Sequence, residues 1–196
     1  MTVDLGTVIA AFLGAFAAPF VNSFLNGRRE KQSRGREAKY LAIGVAVILE
    51  EFSSHCAEYV SDQDIYSKSE GSFGTAHGTL PDLKPYPEGA NWKVFDLNLL
   101  GRVLSFPNEL KYSQRLISWF GENCDYPATQ ECYRECGRCG YVAWKLAKDI
   151  RQEYGFPAID ETYTRADISS ILKPVYDECL LKAKEQASPK LAKKAA

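Results

Sequence analysis

Apolar and polar positions alternate along much of this chain with a helical period, apart from one charge-free, mainly apolar segment near the start and one long segment with no apolar period, Gln63 to Trp92. Leu5 to Leu25 (LGTVIAAFLGAFAAPFVNSFL) contains no charged side chain, and ten of its residues are Leu, Ile, Val or Phe. At a helical rise of about 1.5 Å per residue it is roughly 31 Å long, close to the ~30 Å hydrocarbon core of a bilayer. The ten large apolar residues favour insertion by roughly 3 to 6 kcal/mol, partly offset by Pro19, Asn22, Ser23 and the glycines. The segment is expected to be a single transmembrane helix. The competing reading is a soluble protein that buries this helix in its core. Gly6, Ala10, Gly14 and Ala18 recur every four residues as a small-residue ridge, opposite Phe12, Phe16, Phe20 and Phe24. Such a ridge lets a second helix approach closely in lipid, although Gly and Ala are common enough in membrane helices to line up by chance. Pro19 is expected to kink the helix.

The rest of the chain reads as helices. Asn26-Gly27 is expected to break or fray the first one, and Arg28 to Lys39 is either a helix leaving the membrane or a hinge. From Tyr40 to Asp62, Leu41, Val45, Ile48, Phe52, Cys56 and Tyr59 form one stripe at spacings of three and four. The apolar run Tyr40–Leu49 is too short to be a second span and reads as a core helix. Gln63 to Trp92 is a loop rich in Gly, Ser and Pro, read as disordered or as an ordered surface wrap. Asp96 is a candidate N-cap for a helix with Leu97, Leu100, Val103 and Leu104 inward. A restart is expected at Pro107, giving another helix with Leu110, Ile117 and Phe120 inward and an end near Gly121. A helix from about Glu131 to Tyr154 buries Val142, Leu146 and Ile150, and Gly155-Phe156-Pro157 stops it. Gly137 and Gly140 count against helix near its start. Thr164 and Asp167 resemble a capping box for a last helix with Ile168, Ile171, Leu172, Val175, Cys179 and Leu180 inward, kinked at Pro174. The fold class is therefore all-α: an N-terminal transmembrane helix, then an irregular helical bundle with one long Gly/Pro-rich loop. The expected divisions are an anchor over 1–27, a basic junction over 28–39, a helical domain over 40–187 and a basic disordered tail over 188–196.

Charge adds orientation. Residues 26–39 carry six basic and two acidic side chains, while residues 40–181 carry 13 basic and 21 acidic. Positive flanks favour the cytoplasmic side, which places the N-terminus outside and the domain in the cytoplasm of a bacterial-type inner membrane. The basic residues follow the apolar stretch instead of preceding it, the reverse of a cleavable signal peptide. The basic collar also suits an anionic membrane surface, although topology alone accounts for it. An acidic body between basic ends lacks the basic face of a nucleic-acid binder. The partners expected are the membrane and a protein, either a second copy or another chain.

Candidate chemistry rests on the cysteines. Cys132, Cys136 and Cys139 form C-x3-C-x2-C, with Cys124 upstream, and Cys56 and Cys179 stand apart. The spacing resembles the iron–sulfur motif of radical SAM enzymes over these eight residues alone. The chain has neither the length nor the alternating strands of the barrel those enzymes need, so that function is set aside. Four thiolates from Cys124, Cys132, Cys136 and Cys139 could hold zinc or an iron–sulfur cluster, making a metal-binding or redox-sensing domain the alternative reading. On a helix, Cys132, Cys136 and Cys139 share the face of Val142, Leu146 and Ile150, which makes them small apolar core residues. A disulfide from Cys124 is a further option if the domain is exported. Glu51 and His55 are spaced by four and have no second copy, so an ion pair or a plain interfacial histidine explains them better than a metal site. With His77 the only other histidine, no imidazole-based catalytic set is assembled. A small enzyme site near His77 in the 63–92 loop stays as an outlying option. Trp92, Trp119 and Trp144 read as core or interface anchors. The expectation is a non-enzymatic membrane-anchored interaction or scaffold module.

Overall fold

The computed structural model describes residues 5–124, 127–158 and 167–192, with side chains described over 26–124, 127–158 and 167–185. Four α-helices account for most of it: α1 (Leu5–Lys68), α2 (Leu97–Asn123), α3 (Ala128–Tyr154) and α4 (Ile168–Ala192), with a 3-10 turn at Trp92–Val94. Among the described residues there is no strand. The chain divides into two compact units, Met1–Tyr40 and Leu41–Ala196.

In the first unit the backbone is helical from Leu5 onward. The side chains of Leu5–Leu25, including the ridge of Gly6, Ala10, Gly14 and Ala18, lie outside the described residues. The break expected at Asn26-Gly27 does not occur. One interior glycine costs about 1 kcal/mol relative to alanine, which the run of good helix formers after it can absorb. Glu30 and Arg34 pair one turn apart at 2.5 Å on that stretch.

The second unit is the bundle. Its part of α1 buries Leu41, Ala42, Val45, Ala46, Leu49, Phe52, Cys56, Tyr59 and Val60. Leu49 takes the inward place expected of Ile48, which is half-buried. Over Asn26–Lys68, α1 contains a window of mean hydropathy 1.2, long and apolar enough to cross a membrane, and half of that window is buried inside the protein. Burial of this kind is what a core helix shows, in keeping with the reading of Tyr40–Leu49.

α2 is one helix, where two were expected. Asp96 caps it, its carboxylate accepting from the Asn98 and Leu99 backbone N–H groups at 3.0 Å each. Pro107 sits inside the helix and removes one ladder hydrogen bond. Val103 and Phe106, on the turn before it, are fully buried, and Phe106 meets Phe52 of α1 edge-on at 5.7 Å. That packing carries the helix across the proline. Leu97 and Leu104, expected inward, face solvent, and the buried positions are Leu99, Val103, Phe106, Ser113 and Ile117.

α3 is the central element. Its inner face includes Ala143, Leu146, Ala147 and Ile150, with Val142 half-buried at the edge. Gly155, at φ 67°, ends it in the left-handed conformation that glycine adopts freely. Gly137 and Gly140 are points of contact and not weak points. A Cβ at Gly137 would lie 2.5 Å from Val175 Cβ on α4, and one at Gly140 would lie 2.6 Å from Cys56 Cβ on α1. The missing side chains let three helices touch at one level, and this outweighs the propensity cost. The Ser53 hydroxyl donates to the Gly140 carbonyl at 2.8 Å across the same contact.

Asp167 starts α4 with its own carboxylate, which accepts from Ser169 N–H at 2.9 Å; Thr164 lies outside the described residues. α4 continues past Pro174 to Ala192, through the first residues of the tail expected from Ser188. Ile168, Leu172 and Val175 are buried, while Leu180, expected inward, is exposed.

The loop begins after Lys68, six residues later than expected, and wraps the bundle as an ordered strap. The Tyr59 hydroxyl donates to the His77 carbonyl, Leu80 N–H donates to Gln114 Oε1 at 2.9 Å, and Lys84 pairs with Glu51 at 2.6 Å. Gly74, at φ 79°, lies against α1, where a Cβ would sit 2.8 Å from Tyr66 N.

Candidate functional site

The C-x3-C-x2-C residues lie on the inner face of α3, where the sequence pattern puts them. Cys132, Cys136 and Cys139 are at most 1% exposed. The Cys132 and Cys136 sulfurs are 4.0 Å apart. Cys136 also reaches Cys56 on α1, and Cys132 reaches the Tyr59 hydroxyl, so three thiols and a phenol form a chain between the two helices. Cys139 turns toward α2, 3.5 Å from the Ser113 hydroxyl. Cys124 follows the last residue of α2, half-buried, and Cys179 donates to the Arg134 carbonyl at 3.9 Å. All six cysteines are free thiols.

Beside the thiols runs a line of ion pairs. Glu131 pairs with Arg134 at 3.5 Å, and Glu135 pairs with Arg138 at 2.7 Å. Both carboxylates belong to buried residues. Arg138 reaches across to α2, donating to the Ser113 hydroxyl at 2.7 Å, and Ser113 donates onward to the Glu109 carbonyl at 3.1 Å. Burial opposes the charge on Arg138, but the hydrogen bonds to Glu135 and the negative charges around it, Glu135 and Glu109 among them, together outweigh this and hold the guanidinium protonated. Burial raises the Glu131 carboxyl, with Arg134 partly opposing it.

Cys132, Cys136 and Cys139 are held in the neutral form. The hydrogen bond to Cys136, followed by burial, drives Cys132 up, and burial drives Cys136 well above the usual thiol range. Burial pushes Cys139 up to about 11 even though the Arg138 charge beside it pulls the other way. A nucleophile must be a thiolate, so these surroundings favour packing over nucleophilic chemistry. Among the described residues no group of three or more His, Cys, Asp or Glu side chains is arranged to hold a metal ion. Glu51 is paired with Lys84, and His55, one turn on, is exposed.

Sequence reading missed Ser53, Ser113, Glu135 and Arg138. Glu135 and Arg138 stand at i and i+3, and that spacing could have exposed them. Nothing local marks Ser53 or Ser113 as buried: Gly140 meets Ser53 from α3, and Arg138 and Cys139 meet Ser113 from that same helix. The tryptophans divide: Trp144 is buried under Lys148 Nζ at 4.2 Å from the ring centre, Trp92 is half-buried behind the strap, and Trp119 is 52% exposed on α2. Compared with known proteins, the chain matches no family model, no curated protein and no solved structure.

Proposed function

We propose that the chain is a membrane-anchored helical interaction module, with Leu5–Leu25 inserted in the bilayer and the bundle from Leu41 onward engaging a protein, either a second copy or another chain. The observation that carries this reading is the charge-free apolar segment Leu5–Leu25 at the start of a continuous helix, followed by six basic residues over 26–39. A helix satisfies its own backbone polar groups and is the form in which such a segment crosses lipid. The basic collar favours a cytoplasmic bundle in a bacterial-type inner membrane. The interaction half is supported by α2, whose outer side exposes Leu97, Leu104, Tyr112 and Trp119.

Carbonate washing of membranes from cells making the full chain tests the anchor. The protein is expected to stay in the pellet, and release of intact chain into the supernatant overturns the anchor. Labelling of single cysteines introduced at Thr2 and Lys194 by an impermeant maleimide reads orientation, with labelling at position 2 alone expected. Crosslinking in the same membranes is expected to give a dimer or one defined heteromeric band, and monomer alone removes the interaction reading.

A further inference from the structure

The outward side of α2 carries an apolar stripe. Leu97, Leu104, Tyr112 and Trp119 are all exposed. They follow one another at spacings of seven, eight and seven residues, which keeps all four on one side of a helix. The buried positions Leu99, Val103, Phe106, Ser113 and Ile117 occupy the opposite side. Large apolar side chains exposed in a row, rather than singly, mark a contact surface.

The spacing is also symmetric. Leu97 and Trp119 lie equally far along the chain from Asn108, and so do Leu104 and Tyr112. Asn108 is exposed on the same side. A stripe with this symmetry matches itself when a second copy is turned end over end about Asn108, as the two-fold interface of a homodimer requires. The surface has relief to match. Leu97, the most exposed of the four, stands out at one end. Arg115, Ser118, Trp119 and Glu122 border an open hollow at the other. Charge selects the same direction. In a parallel pair Lys111, Arg115 and Glu122 would each meet their own like charge, which is costly across an interface. End over end, Lys111 meets Ser105, and Arg115 meets Gly101, above which nothing lies within 4 Å. Glu122 then comes to the start of the other α2, which follows the exposed Lys93.

We propose that α2 pairs with α2 of a second copy of this chain, antiparallel about Asn108, with Leu97 seated in the hollow beside the partner's Trp119 and Leu104 against the partner's Tyr112. This rests on the interaction reading above and narrows it to one partner and one face. A single pair of helices is a small interface, so association is expected with a Kd of about 1–10 μM, a range in which confinement to one membrane favours the dimer.

The test is crosslinking of the full-length chain, in membranes of the cells that make it, with a short bismaleimide. Asn108→Cys is expected to raise the dimer band at least about five-fold over the parent chain, because its two copies meet at the axis. Ser118→Cys is expected to leave the band at the parent's level, because its two copies stand roughly 30 Å apart in an antiparallel pair. Sedimentation in a non-ionic detergent then probes the face. Leu97→Glu and Tyr112→Glu are each expected to weaken the dimer about ten-fold or more, with helix content by circular dichroism unchanged because both positions are exposed. Leu181→Glu, at an exposed position on α4, is expected to leave the dimer as it is. A dimer indifferent to both α2 substitutions, a dimer broken by Leu181→Glu instead, or a Ser118→Cys band as strong as that of Asn108→Cys overturns the α2 pairing and leaves the interaction reading standing. A single band with a different protein does the same. Monomer alone overturns both.

Discussion

α2 and α3 are each 27 residues long, yet α3 buries twelve of its residues and α2 only five. The difference lies in what each touches. α3 meets α1, α2 and α4, and carries two glycines where neighbouring side chains press on its backbone. α2 rests on the bundle along one side and turns leucine, tyrosine and tryptophan outward, with Leu97 80% exposed. Sequence hydrophobicity does not separate the two. α3 is studded with Glu, Arg and Lys and is the core helix, whereas α2 is the more apolar and sits at the surface. Position in the bundle, more than composition, decides which helix holds the fold and which is free to meet something else.

The same substitution on the two helices should have opposite signs. Gly137→Ala on α3 drives a methyl group into Val175, and a loss of about 3 kcal/mol is expected by denaturant titration. Asp96→Ala removes the α2 cap and should cost about 1 kcal/mol. Gly101→Ala on the exposed side of α2 meets nothing within 4 Å and should gain about 0.5–1 kcal/mol through helix propensity. A loss at Gly101 equal to that at Gly137 would erase the contrast. The smallest effect concerns pH. The folded-state pKa of Glu131 is raised by burial, so the folded chain holds this proton more tightly than the unfolded one. Stability from this group is greatest below the unfolded value of about 4.3 and falls as pH rises through the raised folded value. Glu131→Gln should therefore flatten the stability profile across that window and raise Tm slightly at neutral pH. A profile as steep as the parent's would show that Arg134 fully compensates the carboxylate.

Signals carried by neighbours in sequence were legible. The Val142–Leu146–Ile150 period, the Asp96 cap and the Gly155 stop each depend on a few adjacent residues, and each located its element. Cys132, Cys136 and Cys139 were placed on the right face by the same helical period. Signals that depend on distant partners misled. Pro107 reads as a boundary until Phe52 is seen holding Phe106. Gly137 and Gly140 read as helix breakers until Val175 and Cys56 occupy the space a side chain would fill. The wrap of the loop over 69–91 rests on Gln114 and Glu51, both far along the chain. That this strap buries the Tyr86 hydroxyl without a hydrogen-bond partner among the described residues could not be read from the proline and glycine content that marked the segment as irregular.

The two close approaches on α3 also govern how the molecule comes apart. With Gly137 against Val175 and Gly140 against Cys56, neither α1 nor α4 can lift away without stripping the centre of α3. Amide hydrogens in that stretch should exchange with deuterium only through global opening, while those of the strap exchange through small local fluctuations. Two nearby parts of one bundle would then report on two different clocks.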